Sequence, residues 1–386
     1  MRQVPRILAI IPSRVFYGQE RANVLVLDVL KEQGCEILTV VEDHASFPIV
    51  PQELEKRRIP YVKAPTIGRR VDGYLLDFVF GNPIRLLRLR KKFRGILNNW
   101  APTHIHVPSP FAFLMADVIA SPDIPIIYRI GDKPNPNNIF WRWIWRRIAR
   151  RVTHFVADSE FIADQLANLG IDRANITVIF TPPARRCADP KPYLRPQIPQ
   201  NILFIGQINP NKGIDRLIEA FQLVLREYPA ARLTIVGKIS EYSGGDWQRA
   251  LRDSTLADAT LGKSVSFAGE QNDIYSYLAA SDFLVVPSVC EEAFGLVVGE
   301  AKAAARPSVV FPRGGLPEQV NHCEDGFICR DVSVEALADG LRYYLSDPER
   351  ARQHGIAALA SLGRLKMDQF PRAWRKIYDD TLALAR

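Results

Sequence analysis

Phe283-Leu284-Val285-Val286-Pro287-Ser288-Val289-Cys290-Glu291-Glu292-Ala293-Phe294-Gly295-Leu296-Val297-Val298-Gly299-Glu300 reads as a buried strand, a polar loop and the opening of a helix. The apolar run 283–286 ends at Pro287, which cannot donate to a sheet ladder. In open α/β sheets ligands gather at the C-terminal ends of the strands, so a strand followed at once by two carboxylates marks a binding loop. Glu292 precedes the helix and Glu300 stands about one to two turns inside it. The two acids therefore serve different roles. A loop glutamate can accept hydrogen bonds from sugar hydroxyls, whereas one on the helix can grip the two hydroxyls of a ribose. Ala293 and Gly295 are small enough to let backbone N–H groups approach a ligand. The weaker alternative for each glutamate taken alone is a surface acid near a helix start.

Two further loops follow strands in the same half. After 201–205 comes Gly206-Gln207-Ile208-Asn209-Pro210-Asn211-Lys212-Gly213, then the amphipathic pattern 214–225. A lysine just before a helix N-terminus adds a point charge to free N–H groups and the positive end of the dipole, which suits a diphosphate. After 308–311 comes Pro312-Arg313-Gly314-Gly315-Leu316-Pro317-Glu318, whose paired glycines permit close approach before an expected helix.

Working outward, apolar runs at 7–11, 36–41, 104–107, 124–128, 154–157 and 176–180 match a second set at 201–205, 232–236, 265–267, 283–286, 308–311 and 326–329. Their alternation with helical patterns predicts an α/β fold of two doubly wound parallel sheets. A chain of 386 residues also exceeds one ordinary core. The predicted domains are 1–185 and 201–367, joined by a Pro-rich linker, 186–200, and followed by a C-terminal helix, 368–386, able to pack back on the first domain.

Hydrophobic residues at 47% and charged residues at 24% fit a soluble globular protein and exclude a disordered or fibrous one. The run 7–11 is too short for a signal-peptide core, and no stretch approaches the roughly 20 apolar residues that span a bilayer. Five cysteines without a C-x-x-C pair point to a reducing cytosol, to buried small side chains and away from structural zinc. The formal charge of +8 is uneven: residues 85–151 hold thirteen Lys and Arg against three acids, a surplus of ten, which leaves the rest at minus two.

The three loops together resemble the retaining glycosyltransferase family four (glycosyl transferases group 1), whose GT-B fold sets two Rossmann-like domains facing each other across a cleft. The resemblance covers nearly the whole chain and is strongest over 201–330. Its most specific element is Glu292 and Glu300 with seven residues between them, supported by Lys212-Gly213 and Gly314-Gly315-Leu316-Pro317-Glu318. It implies Lys212 and Glu292 as catalytic residues, with Lys212 on the donor pyrophosphate and Glu292 on the transferred sugar. Glu300 would hold the ribose, and the amides of Ala293, Phe294, Gly295 and Leu296 the sugar and phosphate. Gly18, in the loop after the first strand, would approach the pyrophosphate from the other domain, and the base would rest near Phe267, Ala268 and Gly269. Gln207 stands where the family has an arginine, which removes a bidentate cation. Asp132 is the one candidate for acceptor contact.

The implied reaction is transfer from a nucleoside-diphosphate sugar to a glycan or lipid-linked acceptor, with retention and without a metal or other cofactor. A non-catalytic glycan-binding relative and a nucleotide-sugar epimerase are the alternatives, because fold does not fix chemistry. No nucleic-acid module accompanies the basic region. Segment 140–151 places Trp141, Ile144, Trp145 and Ile148 on one helical face and Trp143 among Arg142, Arg146, Arg147 and Arg150 on the other. That pattern predicts a cytoplasmic protein peripheral to an anionic membrane surface.

Overall fold

The computed structural model describes residues 4–13, 15–42, 49–64, 83–183, 201–238, 245–363, 365 and 369–384. The expected linker 186–200 and Cys187 lie outside them. The chain divides into two compact units, Met1–Thr181 with Asp368–Arg386, and Pro182–Met367.

The first unit holds a seven-stranded parallel sheet of β1 (Arg6–Ile11), β2 (Glu36–Glu42), β3 (Tyr61–Ala64), β4 (His104–Val107), β5 (Ile126–Ile130), β6 (His154–Ala157) and β7 (Ile176–Val178), in the order β3-β2-β1-β4-β5-β6-β7. The second holds β8 (Asn201–Ile205), β9 (Arg232–Val236), β10 (Val265–Gly269), β11 (Phe283–Val286), β12 (Ser308–Val310) and β13 (Gly326–Ile328), in the order β10-β9-β8-β11-β12-β13. All the pairings between these strands are parallel. Two doubly wound α/β units are therefore present.

Strand alternation builds a core on each face of the second sheet. Ile202, Phe204, Phe283 and Val285 pack on one face of the second sheet, while Leu203, Leu284 and Val286 pack on the other. The helix Ile214–Leu225 closes the first face with Ile214, Leu217, Ile218, Phe221, Val224 and Leu225, all buried at helical spacing. Each such side chain contributes about 1.5–3 kcal/mol of burial. In the first unit the C-terminal helix Phe370–Leu384 brings Phe370, Trp374, Ile377 and Tyr378 into one core with Ile7, Ile11 and Leu27.

Some boundaries differ from the sequence reading for visible reasons. β5 begins at Ile126 and not at 124, because Pro125 has no N–H; its carbonyl instead accepts from Ile105 N at 2.9 Å. β3 escaped the apolar pattern, since as an edge strand it buries only Ala64. Cys35 and Cys329 are buried, and burial pushes their thiols up to about 11 and about 12. Cys290 is half-buried and Cys323 exposed, which corrects the expectation of uniform burial.

Candidate active site

In the second sheet the chain winds one way from β8 to β10 and the other way from β11 to β13, so the switch point lies between β8 and β11. A crevice forms where loops leave in opposite directions, and ligands bind there in open α/β sheets. The first two loops singled out in the sequence emerge at this place.

In the first loop the Asn209 side chain accepts from Lys212 N at 3.2 Å and caps a 3₁₀ turn, Pro210–Lys212. Gly213 then takes φ +65, and a Cβ there would stand 2.0 Å from the Pro287 carbonyl oxygen. Only glycine lets this loop close on the second one. The N–H groups of Val289 and Cys290 donate back to Asn211 O at 2.9 and 3.2 Å.

The second loop carries Glu292. Its Oε1 accepts hydrogen bonds from Ser288 Oγ at 2.6 Å and from the Lys212 ammonium. The pair is partly shielded, with side-chain exposures of 28% for Lys212 and 15% for Glu292. Gly295 at φ +84 is the N-cap of the helix Leu296–Ala303, and Gln319 Nε2 braces it by donating to the Phe294 and Gly295 carbonyls. Glu300 is the fifth residue of that helix and is buried.

The third loop completes the arrangement. Gly315 N donates to Glu292 O at 2.8 Å, and a Cβ on Gly314 would meet that oxygen at 2.0 Å. The helix expected after it is only a 3₁₀ turn, Leu316–Gln319, with Pro317 inside it. Proline there removes an N–H, and Leu316 must pack against Gly295, where a Cβ would lie 2.4 Å from its Cδ2.

Lys212, Glu292, Ala293, Phe294, Gly295, Leu296 and Glu300 are thus brought onto two interlocked loops and one short helix. Gln207 opens the first loop and accepts from Asn209 Nδ2 at 3.3 Å. Gly269 ends β10 and lines a cavity of about 240 Å³ with Ile208, Gly237, Lys238, Arg252, Phe267 and Glu270. Ser288 and Gln319 were missed by the sequence reading. Their signal was their placement, one just after a strand and the other just after a glycine pair, and neither residue type is distinctive there.

Two expected residues belong to the first unit. Gly18 is the first residue of the helix Gly18–Glu32 and not part of the preceding loop, with Tyr17 as N-cap. Asp132 is exposed just after β5. Near it Arg129 and Asp158 form a buried ion pair at 2.5 Å, and Thr181 Oγ1 accepts from Arg129 at 3.3 Å. Burial raises Asp158 to about 6 against the lowering by Arg129.

Two doubly wound units, the second with a cation and carboxylate at its switch point, define a GT-B class of group-transferring enzyme. Family models agree: "Glycosyl transferases group 1" matches residues 187–359 and "Glycosyltransferase Family 4" matches residues 17–182. The chain belongs to glycosyltransferase family four and is a glycosyltransferase. It is 28% identical over 311 residues to a glycogen synthase of Mycobacterium tuberculosis, covering 73% of this chain and 72% of that one. A D-inositol 3-phosphate glycosyltransferase of Nocardia farcinica is 30% identical over 281 residues, 68% of this chain and 58% of that one. Among solved structures, a glycosyltransferase from Rickettsia africae aligns with a TM-score of 0.78 at 21% identity over 98% of this chain and 99% of that one. Anabaena HepE in complex with UDP and glucose aligns with a TM-score of 0.75 at 18% identity over 98% and 99%.

Proposed function

We propose that this glycosyltransferase moves a sugar, with retention of configuration, from a nucleoside-diphosphate sugar to a glycan or lipid-linked acceptor at an anionic membrane surface. The observation that carries the donor half is the Glu292 carboxylate, shared by Lys212 and Ser288 at the switch point, just before the helix Leu296–Ala303. An ammonium has three donors, so Lys212 can keep one on Glu292 and offer others to a phosphate. Substitution at an anomeric carbon passes through an oxocarbenium-like state while charge grows on the leaving phosphate. A fixed cation beside free helix amides meets that charge without reorganising, and such preorganisation is worth several kcal/mol. Glu292 then orients sugar hydroxyls, Glu300 the ribose, and the cavity beside Gly269 accommodates the base. The UDP and UDP-glucose complexes of HepE support this donor class. Neither a metal nor another cofactor enters the proposed reaction.

The test is a panel of UDP-, GDP- and ADP-sugars. A true donor at 100 times its dissociation constant raises stability by about 2.7 kcal/mol. Stabilisation by none of them would remove the donor assignment. NMR of the transferred sugar then reads its anomeric configuration, and an inverted product would overturn retention.

A further inference from the structure

The third donor loop carries a cation that the two-loop description leaves unused. Arg313 N donates to Phe311 O at 2.8 Å, and its carbonyl accepts from Leu316 N at 3.2 Å. The next two residues are held against Glu292, Gly314 by contact with its backbone and Gly315 by the 2.8 Å hydrogen bond. Arg313 is therefore locked beside the segment that presents the Glu292 carboxylate. Its Nε is buried without a hydrogen-bond partner. Among the described residues no carboxylate pairs with its guanidinium.

Charge counting gives this arginine a purpose. The second loop brings Glu291 and Glu292, and Lys212 already binds Glu292. Gln207, at the mouth of the first loop, is neutral. A diphosphate adds about two to three negative charges beside the Glu292 carboxylate, whose Lys212 partner is already engaged, and a second cation offsets that repulsion. A planar guanidinium answers this need, because its fork matches two phosphate oxygens at once. Resting on the donor-site reading above, we propose that Arg313 binds the donor diphosphate as the second cation beside Lys212. Burial raises the Cys290 thiol, while Lys212 and Arg313 both act to lower it, which fits two cations converging on this segment.

The probes are UDP, GDP and ADP with their monophosphates, titrated calorimetrically into wild type, Arg313→Ala, Arg313→Lys and the double variant Gln207→Arg/Arg313→Ala. Losing a charge-assisted contact should weaken the best-bound diphosphate roughly ten- to a hundredfold. Binding of its monophosphate should change less than about twofold, and Arg313→Lys should lose only part of the affinity. Gln207→Arg should restore diphosphate binding in the Ala background, which a merely structural role for Arg313 would not permit. Equal diphosphate affinity in wild type and Arg313→Ala overturns the proposal. So does a parallel loss for diphosphate and monophosphate, or a lysine variant as weak as alanine with no rescue by Gln207→Arg. Wild type that binds no diphosphate at all removes the donor-site reading, and this role for Arg313 with it.

Discussion

Glu292 Oε1 receives two hydrogen bonds while the same residue's backbone oxygen receives a third from Gly315. The side chain and the backbone therefore do separate jobs. Truncation of the side chain removes the chemistry and leaves the hydrogen bond to the third loop in place. Glu292→Ala and Lys212→Ala should each lower kcat at saturating donor by about 10²–10³, with a melting temperature close to wild type. Turnover near wild type in either variant would show that the pair has no part in the reaction. Because the two groups touch, their effects should not add, and Lys212→Ala/Glu292→Ala should be about as slow as the worse single variant. Both residues were singled out in the sequence by their setting, Lys212 beside Gly213 before a helix and Glu292 beside Ala293-Phe294-Gly295, and by the family resemblance those motifs carry. Arg313 was not, because its value depends on which carboxylates already have partners.

At the scale of elements, the sequence showed which segments are strands but not what braces them. Ala305-Arg306-Pro307 lies just before β12. In the fold Ala305 takes φ +55, and the buried Arg306 guanidinium donates to the carbonyls of Leu278, Ala279, Ser281, Ala304 and Ala305. It thus ties the end of the helix Ile274–Ala280 to the turn before β12. Arg306→Ala would orphan these carbonyls and should cost about 3–5 kcal/mol in urea unfolding. A loss below about 1 kcal/mol would show that water replaces the guanidinium. β4 holds a second hidden brace, since His104 and His106 share one strand face at a spacing of two. His104 Nε2 meets Thr381 Oγ1 at 3.1 Å, and His106 Nδ1 meets Tyr378 OH at 2.7 Å, both on the C-terminal helix. Burial lowers the two histidines to about 4 and about 3. A lowered folded pKa gives stability that is present above the unfolded value of roughly 6.5 and lost as pH falls below it. Asp158, raised to about 6, acts in the opposite sense, gaining stability as pH falls from about 6 toward 4. Two histidines outweigh one aspartate, so the first unit should lose about 2 kcal/mol between pH 7 and pH 5. Tryptophan fluorescence during urea unfolding reads this unit, because only Trp247 lies outside it. Equal or higher stability at pH 5 would mean that the histidines are not held neutral. Such couplings span more than 270 positions of sequence, and no local pattern encodes them.

For the whole molecule, the decisive quantity is where the positive charge lies. The surplus of ten in residues 85–151 falls within the first unit. The helix Pro83–Trp100 packs on Pro110–Ile119, which packs on Ile139–Arg151. In the first of these Phe93 is buried while Lys91 and Arg94 are exposed; the side chains of Arg85, Leu86, Arg88, Leu89 and Lys92 lie outside the description. The third buries Ile144, Trp145 and Ile148 and sends Ile139, 86% exposed, and Trp143, 54% exposed, outward. Arg142, Arg146 and Arg150 share that outward stripe, while Arg147 pairs with Asp117. Among the described residues Arg146 and Arg150 have no acidic partner, and the helix contains no acid. An exposed indole beside uncommitted arginines is costly in water and favourable at a headgroup boundary, where each basic residue adds about 1 kcal/mol. Among the described residues no helix is long and apolar enough to cross a bilayer. Co-sedimentation with liposomes tests the headgroup contact. Binding should need anionic lipid and fall as salt screens the charges. It should weaken severalfold in Trp143→Ala and further in Arg146→Glu, where a charge reversal removes one attraction and adds one repulsion. Donor binding should be untouched in both, because the two residues lie on an exposed helix face that carries no donor-site residue. Equal partitioning onto neutral and anionic vesicles, or onto neither, would count against a membrane-borne acceptor and leave a soluble glycan as the substrate.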